Sequence, residues 1–480
     1  MAGGALPVST HHPPPTLHQP PRMTLTLDFT NMFLPGAVDD AAWGEAAGRF
    51  RAAHAAVMGK HARGELGFID LPADGALLAQ ATDFAARARG RWRDVVVLGI
   101  GGSALGPIAL RTALRPHGWN GLADERRGGH PRLHVLDNVD PDTILAVLAG
   151  LDLARTLFLV VSKSGGTAET MAQYLLVRGA LDAALGARAV EHLVFVTDPE
   201  RGSLRPIARR EGIAALDIPA NVGGRFSVLS PVGTLPAALI GVDVGAIMAG
   251  AADMRARCAE GDLARNPAGA FAVLQWLAHT RAGKGIHVLM PYADPLRDFA
   301  AWFVQLWAES LGKLRPDGTP VGPTPVPALG ATDQHSQVQL FMEGPADKTV
   351  TFLAVAGREA LGAIPALHAD VPDLAYLGGH ALGALLDVER RAAAGALAAR
   401  GRPNMTLTLD AVDPWHVGGL IFLLELATAY AGELYAVNAF DQPGVELGKR
   451  FTYGMMGRPG FDEARAEFER LPQSDPRRRI

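Results

Sequence analysis

From Asp94 onward the chain alternates short apolar runs of strand type with helical stretches, and this alternation restricts the fold more than any other feature. VVVLGIG (95–101), RLHVLD (132–137), LFLVVS (157–162), HLVFVTD (192–198) and IAALDIP (213–219) read as strands. Strands joined through helices require right-handed crossovers and a parallel sheet covered on both faces. A helical stretch from Pro231 to about Cys258 interrupts the pattern, which then resumes. Helix 267–282, strand GIHVLMPY (285–292), helix 295–313 and strands VQLFMEG (338–344) and TVTFLAV (349–355) predict a second parallel sheet. The expected class is α/β: two αβα sandwiches facing each other across a cleft.

The flanks differ from this middle. Residues 23 to about 90 read mainly as helices, AAWGEAAGRFRAAHAAVMG among them, and helices dominate again from about His380. Residues 1–22 are dense in proline and lack an apolar core, so they are expected to be a disordered extension without a secretory signal. The expected division is that extension (1–22), a helical segment (23–90), a first αβα domain (91–230) and a helical connection (231–265). A second αβα domain (266–410) and a helical C-terminal arm (411–480) complete it.

Composition narrows the functional classes. A net charge of −4 gives no electrostatic reason to expect nucleic acid or an anionic membrane as partner. The single cysteine, Cys258, excludes an internal disulfide and a cysteine-based metal cluster, and suits a reducing cytoplasm. The most membrane-like run, Val417 to Leu424, is cut by Glu425 and is too short to span a bilayer, so it reads as a buried helix.

Six stretches of the sequence carry residues with which chemistry is possible. Ser162-Lys163-Ser164-Gly165-Gly166-Thr167 empties a strand into a helix start. Unpaired first-turn N–H groups, three hydroxyls and two glycines suit a tetrahedral anion, while an ordinary capped βα turn is the plainer reading. Gly99-Ile100-Gly101-Gly102-Ser103 follows the first strand in the same way. It comes close to a dinucleotide fingerprint, but the strand-end acid, Asp137, lies too far along for that motif. Gly223-Gly224-Arg225 places a permanent cation in a glycine-flanked loop, suited to an oxyanion if it faces a ligand and otherwise a surface turn.

On helix 295–313, Gln305, Glu309 and Lys313 recur at helical spacing among Phe303, Leu306 and Trp307. Glu309 is either half of an exposed pair with Lys313 or a base whose affinity for protons is raised by burial. His335, in a polar TDQHSQ loop, is either a structural histidine or a proton carrier near neutrality. Asn438 to Lys449 holds a helix start at Asp441 or Gln442 before Pro443, with Lys449 nearly two turns on.

Side by side, GIGGSALGP, SKSGGTAET, GGRFS, QLWAESLGK, DQHSQ and FDQPGVELGK resemble, in that order, the glucose-6-phosphate isomerase family over about residues 70–455. The resemblance implies two sugar-isomerase (SIS) αβα domains with a helical C-terminal arm, and aldose–ketose isomerisation of a sugar phosphate without metal or cofactor. It assigns the catalytic base to Glu309, enediolate stabilisation to Arg225, and ring opening to His335 and Lys449. The histidine is expected from the other subunit of a homodimer. It also places Ser162, Lys163, Ser164 and Thr167 in the phosphate loop, and Gly102, Ser103, Gln305 and Gln442 against substrate. The loop is SKSGGT where animal members carry threonines, which resembles the shorter bacterial type.

Overall fold

The first group of apolar runs forms a parallel sheet. The computed structural model describes residues 25–472 and 474–480, so the expected extension over 1–22 lies outside them. β1 (Thr26–Asp28) is followed by helices Asp40–Ala62 and Gly75–Ala88. β2 (Asp94–Leu98), β3 (Arg132–Leu136), β4 (Thr156–Val161), β5 (Leu193–Thr197) and β6 (Ala214–Asp217) then pair in the order β3-β2-β4-β5-β6, all parallel. β2, β4 and β5 are buried along their whole length. Alternate residues serve two separate cores: Val95, Val97, Leu157 and Leu159 join one, and Val96, Leu98, Phe158 and Val160 the other. Burial on both faces explains the unbroken apolar runs.

Strand order also places the site. The chain leaves β2 for β3 on one side, then returns past β2 to β4 and continues outward to β6. The winding direction reverses between β2 and β4, and the crevice at the carboxyl ends of such a pair is where open α/β sheets bind ligands. GIGGS leaves β2 at that point, and SKSGGT leaves β4 beside it.

The second sheet contains β7 (Ile286–Pro291), β10 (Thr324–Pro327), β11 (Lys348–Val355) and β12 (Asn404–Leu409); β8 (Lys313–Leu314) and β9 (Pro320–Val321) form a small separate ladder. The order is β1-β12-β11-β7-β10, parallel throughout except for β1, which runs antiparallel on β12. The expected strand at 338–344 is instead a helix, Val338–Glu343. Val338, Phe341 and Met342 recur at helical spacing on one side, and the Gln339 amide donates to Glu343 one turn on. The edge position is taken by β10, whose Pro325 and Pro327 make it read as loop. β1 and β12 add strands to regions that read as helical. The stretch from Pro231 is two helices, Pro231–Leu239 and Val244–Arg257, and the expected helix 295–313 is a 3-10 turn followed by helix Arg297–Leu311.

Helix Pro414–Tyr435 contains the run read as buried. Among the described residues it is the one helix long and apolar enough to cross a membrane, yet 89% of its apolar window is buried within the fold. It packs on helices Val244–Arg257, Pro267–Ala282, Asp40–Ala62 and Arg297–Leu311. Gly250 and Gly418 make the closest approach reciprocal: a methyl group on either would overlap the facing helix backbone, at Trp415 and Ile247 respectively.

An ion cluster ties the amino ends of β2 and β3. The buried Asp94 carboxylate accepts from Arg132 Nε at 2.5 Å and Nη2 at 2.6 Å, and lies 3.0 Å from His134 Nε2. Burial pushes the carboxyl up, but His134 and Arg132 outweigh it and hold it below the usual aspartate range. A depressed folded-state value means that this stability is present above the unfolded pKa of about 4 and is lost as pH falls through the folded value. Arg132 and His134 remain 21% and 22% exposed, which weakens the cluster relative to a sealed ion pair. Asp94→Asn should therefore cost about 2–3 kcal/mol at pH 7. Denaturant titrations should show the gap to wild type closing toward pH 3; an equal gap at both pH values would refute the linkage.

Candidate active site

Glu309 and Gln305 occupy the cleft side of helix Arg297–Leu311, while Phe303, Leu306 and Trp307 are buried in the core. The Gln305 amide donates to Glu309 Oε2 at 3.0 Å. The expectation of a sealed carboxylate is not met, because the Glu309 side chain keeps 28% exposure on the cavity wall. The alternative pair with Lys313 is also not formed. The helix ends at Leu311, and Lys313 lies in β8, where its ammonium meets Asp441 Oδ1 at 2.9 Å and donates to the Asp441 carbonyl at 2.7 Å.

Glu309 faces Arg225 instead, with Oε1 at 3.2 Å from Nη1. Arg225 is not a surface residue; it is 5% exposed, in the 3-10 turn Gly224–Phe226. Its Nε donates to Ser310 Oγ at 2.7 Å, Nη1 to Gln442 Oε1 at 3.2 Å, and Nη2 to the carbonyls of Ala439 at 2.5 Å and Asp441 at 2.8 Å. Burial lowers its proton affinity, with Glu309 and Asp441 opposing, but an arginine stays charged regardless. Four neutral acceptors therefore hold a fixed cation whose only described carboxylate contact within ion-pair distance is Glu309.

These groups line one end of a cavity of about 1040 Å³, and Ser162, Lys163, Ser164 and Thr167 line another part of it. Thr167 stands at the N-cap of helix Ala168–Leu185 without a side-chain capping bond. Its hydroxyl lies 3.1 Å from Ser162 Oγ, and the Ser162 and Ser164 hydroxyls accept from the Gly165 and Gly166 N–H groups. This differs from the plain capped turn, for no side chain caps the helix, and its first-turn residues Ala168, Glu169 and Thr170 line the same cavity. Lys163 points its ammonium to the Ala220 and Val222 carbonyls, at 2.7 and 2.8 Å, so it braces the 162–167 loop against the segment leading to Arg225. Burial lowers its proton affinity, Asp198 raises it and Arg201 lowers it further.

Gly102 and Ser103 line the same cavity, and Gly102 has a packing role beside its expected substrate contact. A methyl group there would overlap the Gly224 carbonyl and lie 2.8 Å from the Arg225 nitrogen. Gly102→Ala should therefore displace the guanidinium from Glu309 and lower kcat by about 10²-fold, the range for losing one oxyanion donor. The circular dichroism spectrum should be unchanged; kcat within about threefold of wild type would show that the Arg225 turn accommodates the methyl.

The match to known proteins follows this geometry. The family model described as phosphoglucose isomerase covers residues 78–470. The chain belongs to that family. A glucose-6-phosphate isomerase of Carboxydothermus hydrogenoformans is 44% identical over 466 residues, spanning 95% of this chain and 99% of that protein. One from Rubrobacter xylanophilus is 46% identical over 444 residues, spanning 91% and 99%. Among solved structures, a hypothetical protein from Thermus thermophilus aligns with a TM-score of 0.82 at 40% identity, covering 90% of this chain and 100% of that one. A glucose-6-phosphate isomerase from Chlamydia trachomatis aligns with a TM-score of 0.68 at 27% identity, covering 82% and 75%.

Within this family member, the expected site residues fall into two groups. Gly102, Ser103, Ser162, Lys163, Ser164, Thr167, Arg225, Gln305, Glu309, Gln442 and Lys449 all line the one cavity. His335 does not; it is exposed at the end of the 3-10 turn Thr332–His335 and is absent from the cavity wall of its own chain. Lys449 projects from helix Glu446–Met455, 46% exposed, with its ammonium 2.8 Å from Glu446. The sequence reading missed Ser310, Arg201 and Tyr453. Ser310 follows Glu309 directly and has no motif of its own. Arg201 lines the cavity in the turn after β5, pinned by the Asp198 carboxylate through the N–H groups of Glu200 and Arg201. Its position beyond the carboxyl end of a strand in the same sheet was a usable signal.

Proposed function

We propose that this chain interconverts glucose 6-phosphate and fructose 6-phosphate through an enediolate. The reading rests on one observation above all: a carboxylate and a buried guanidinium 3.2 Å apart share a cavity with a hydroxyl- and glycine-rich helix start. Family membership supports it. Glu309 removes the proton from C2 of the open-chain aldose and returns it to C1. Arg225 supplies fixed positive charge where the oxyanion develops, a contribution of about 3–4 kcal/mol. Ser162, Ser164 and Thr167 hold the phosphate, so binding energy at the remote end orients C1 and C2. Lys163 stiffens that anchor from behind, and Gly102, Ser103, Gln305 and Gln442 border the sugar.

Ring opening requires a proton to move between the ring oxygen and the C1 hydroxyl. Lys449 is at hand in its own chain, and we assign the second group to His335 of a neighbouring copy in a homodimer. Two features favour this: His335 is exposed, and the segment after β11 exposes Leu361, Leu367, Leu374, Tyr376 and Leu382. A monomeric mass by light scattering at assay concentration, with full activity, would exclude it. A cytoplasmic location accords with the lone, buried Cys258.

The deciding experiment is a coupled assay on the full chain with fructose 6-phosphate. Turnover to glucose 6-phosphate is expected; binding without turnover would make the chain a sugar-phosphate sensor and remove the roles of Glu309 and Arg225.

A further inference from the structure

Tyr453 touches the phosphate loop from outside the expected site. It lies one helical turn beyond Lys449, on the same side of helix Glu446–Met455, and both side chains line the cavity. Its hydroxyl donates to the Gly166 carbonyl at 3.2 Å. Its ring is held on two sides, by the Arg458 guanidinium 4.4 Å from the ring centroid and by Phe461 edge-on at 5.1 Å.

The helix that carries Lys449 is otherwise thinly attached. Val445, Leu447 and Met455 are exposed, and the chief neighbour of the helix is Asp462–Glu469, which belongs to the same C-terminal arm. Among the described hydrogen bonds of its side chains, those of Lys449 and Thr452 stay within the helix, and that of Tyr453 reaches the body at Gly166. The Gly166 carbonyl belongs to the peptide unit whose N–H is that of Thr167, at the start of helix Ala168–Leu185. A bond accepted at the carbonyl polarises that N–H and strengthens it toward an anion. The converse also holds, since an anion drawing on the Thr167 N–H makes Gly166 a better acceptor for Tyr453.

We propose that Tyr453 is a positioning residue that couples occupancy of the 162–167 loop to the placement of Lys449. The kinetic half of this inference rests on the isomerase reading; the structural half, that one hydroxyl holds the helix on the body, does not.

Tyr453→Phe removes the hydroxyl and keeps the ring between Arg458 and Phe461. In the full-length variant, amide hydrogen exchange over 446–455 should accelerate by about five- to tenfold, the worth of one hydrogen bond, with the β2–β6 sheet unchanged. Saturating 6-phosphogluconate should slow exchange in that helix in wild type but not in the variant. With fructose 6-phosphate, kcat should fall about five- to tenfold, and the Kd for 6-phosphogluconate should rise by the same factor by which that ligand slows exchange in wild type, since the coupling is reciprocal. In a Lys449→Ala background the same change should alter kcat by less than about twofold, because the two residues act as one unit. Unchanged exchange over 446–455, or a kcat loss that adds fully to that of Lys449→Ala, would overturn the proposal. Absence of turnover in wild type would count against the isomerase reading, and the exchange comparison without ligand would still decide the tie.

Discussion

Glu309→Gln is expected to bind 6-phosphogluconate about as well as wild type and to turn over fructose 6-phosphate about 10³-fold more slowly or worse. The amide matches the carboxylate in size: its oxygen can still accept from the Arg225 guanidinium, which Glu309 meets at 3.2 Å, and its NH2 can donate to Gln305, now 3.0 Å from Glu309, once the Gln305 amide turns to present its unpartnered oxygen. It cannot accept a proton from carbon. A loss of 10³ corresponds to about 4 kcal/mol of transition-state stabilisation, far beyond the worth of the hydrogen bonds exchanged. Isothermal titration and a coupled assay on the same preparation separate the two effects. Survival of activity within about tenfold would place the base elsewhere.

Arg225→Lys carries the second large effect. Lysine preserves the charge but presents three donors from a point, where the guanidinium serves Ser310, Gln442, Ala439 and Asp441 from a planar fork. The ammonium cannot satisfy all four acceptors and face Glu309 together. We expect kcat to fall by about 10²-fold or more with little change in KM, since the cation is needed most when the oxyanion develops. Unpaired acceptors at Ser310 and the two carbonyls should also cost about 1–3 kcal/mol in denaturant unfolding. Two readouts should therefore move together. A stable variant with wild-type kcat would show that the guanidinium is architectural only.

The parts legible in the sequence were those governed by local rules. Continuous apolar runs at β2, β4 and β5 marked doubly covered strands, and the glycine- and hydroxyl-rich turns after β2 and β4 marked the ligand edge. Long-range pairing left weaker traces. β10 hides behind two prolines because an edge strand tolerates missing N–H donors, and β1 and β12 are recognisable only once they lie beside each other. The helix at Val338–Glu343 shows the same limit in reverse, for a short apolar run suits either period until its neighbours are known.

The candidate site divides along the same line. Residue types and their spacing determined which side chains were able to hold an anion, remove a proton or oppose a negative charge. Only the tertiary structure decided that Arg225 is buried and turned to Glu309, that Lys313 serves Asp441 rather than Glu309, that Lys163 braces a loop, and that His335 stands apart from the cavity of its own chain. The reason is physical: helical spacing and turn chemistry act over a few residues along the chain, whereas the partner of a charge is whatever group the packing of distant segments brings within about 4 Å.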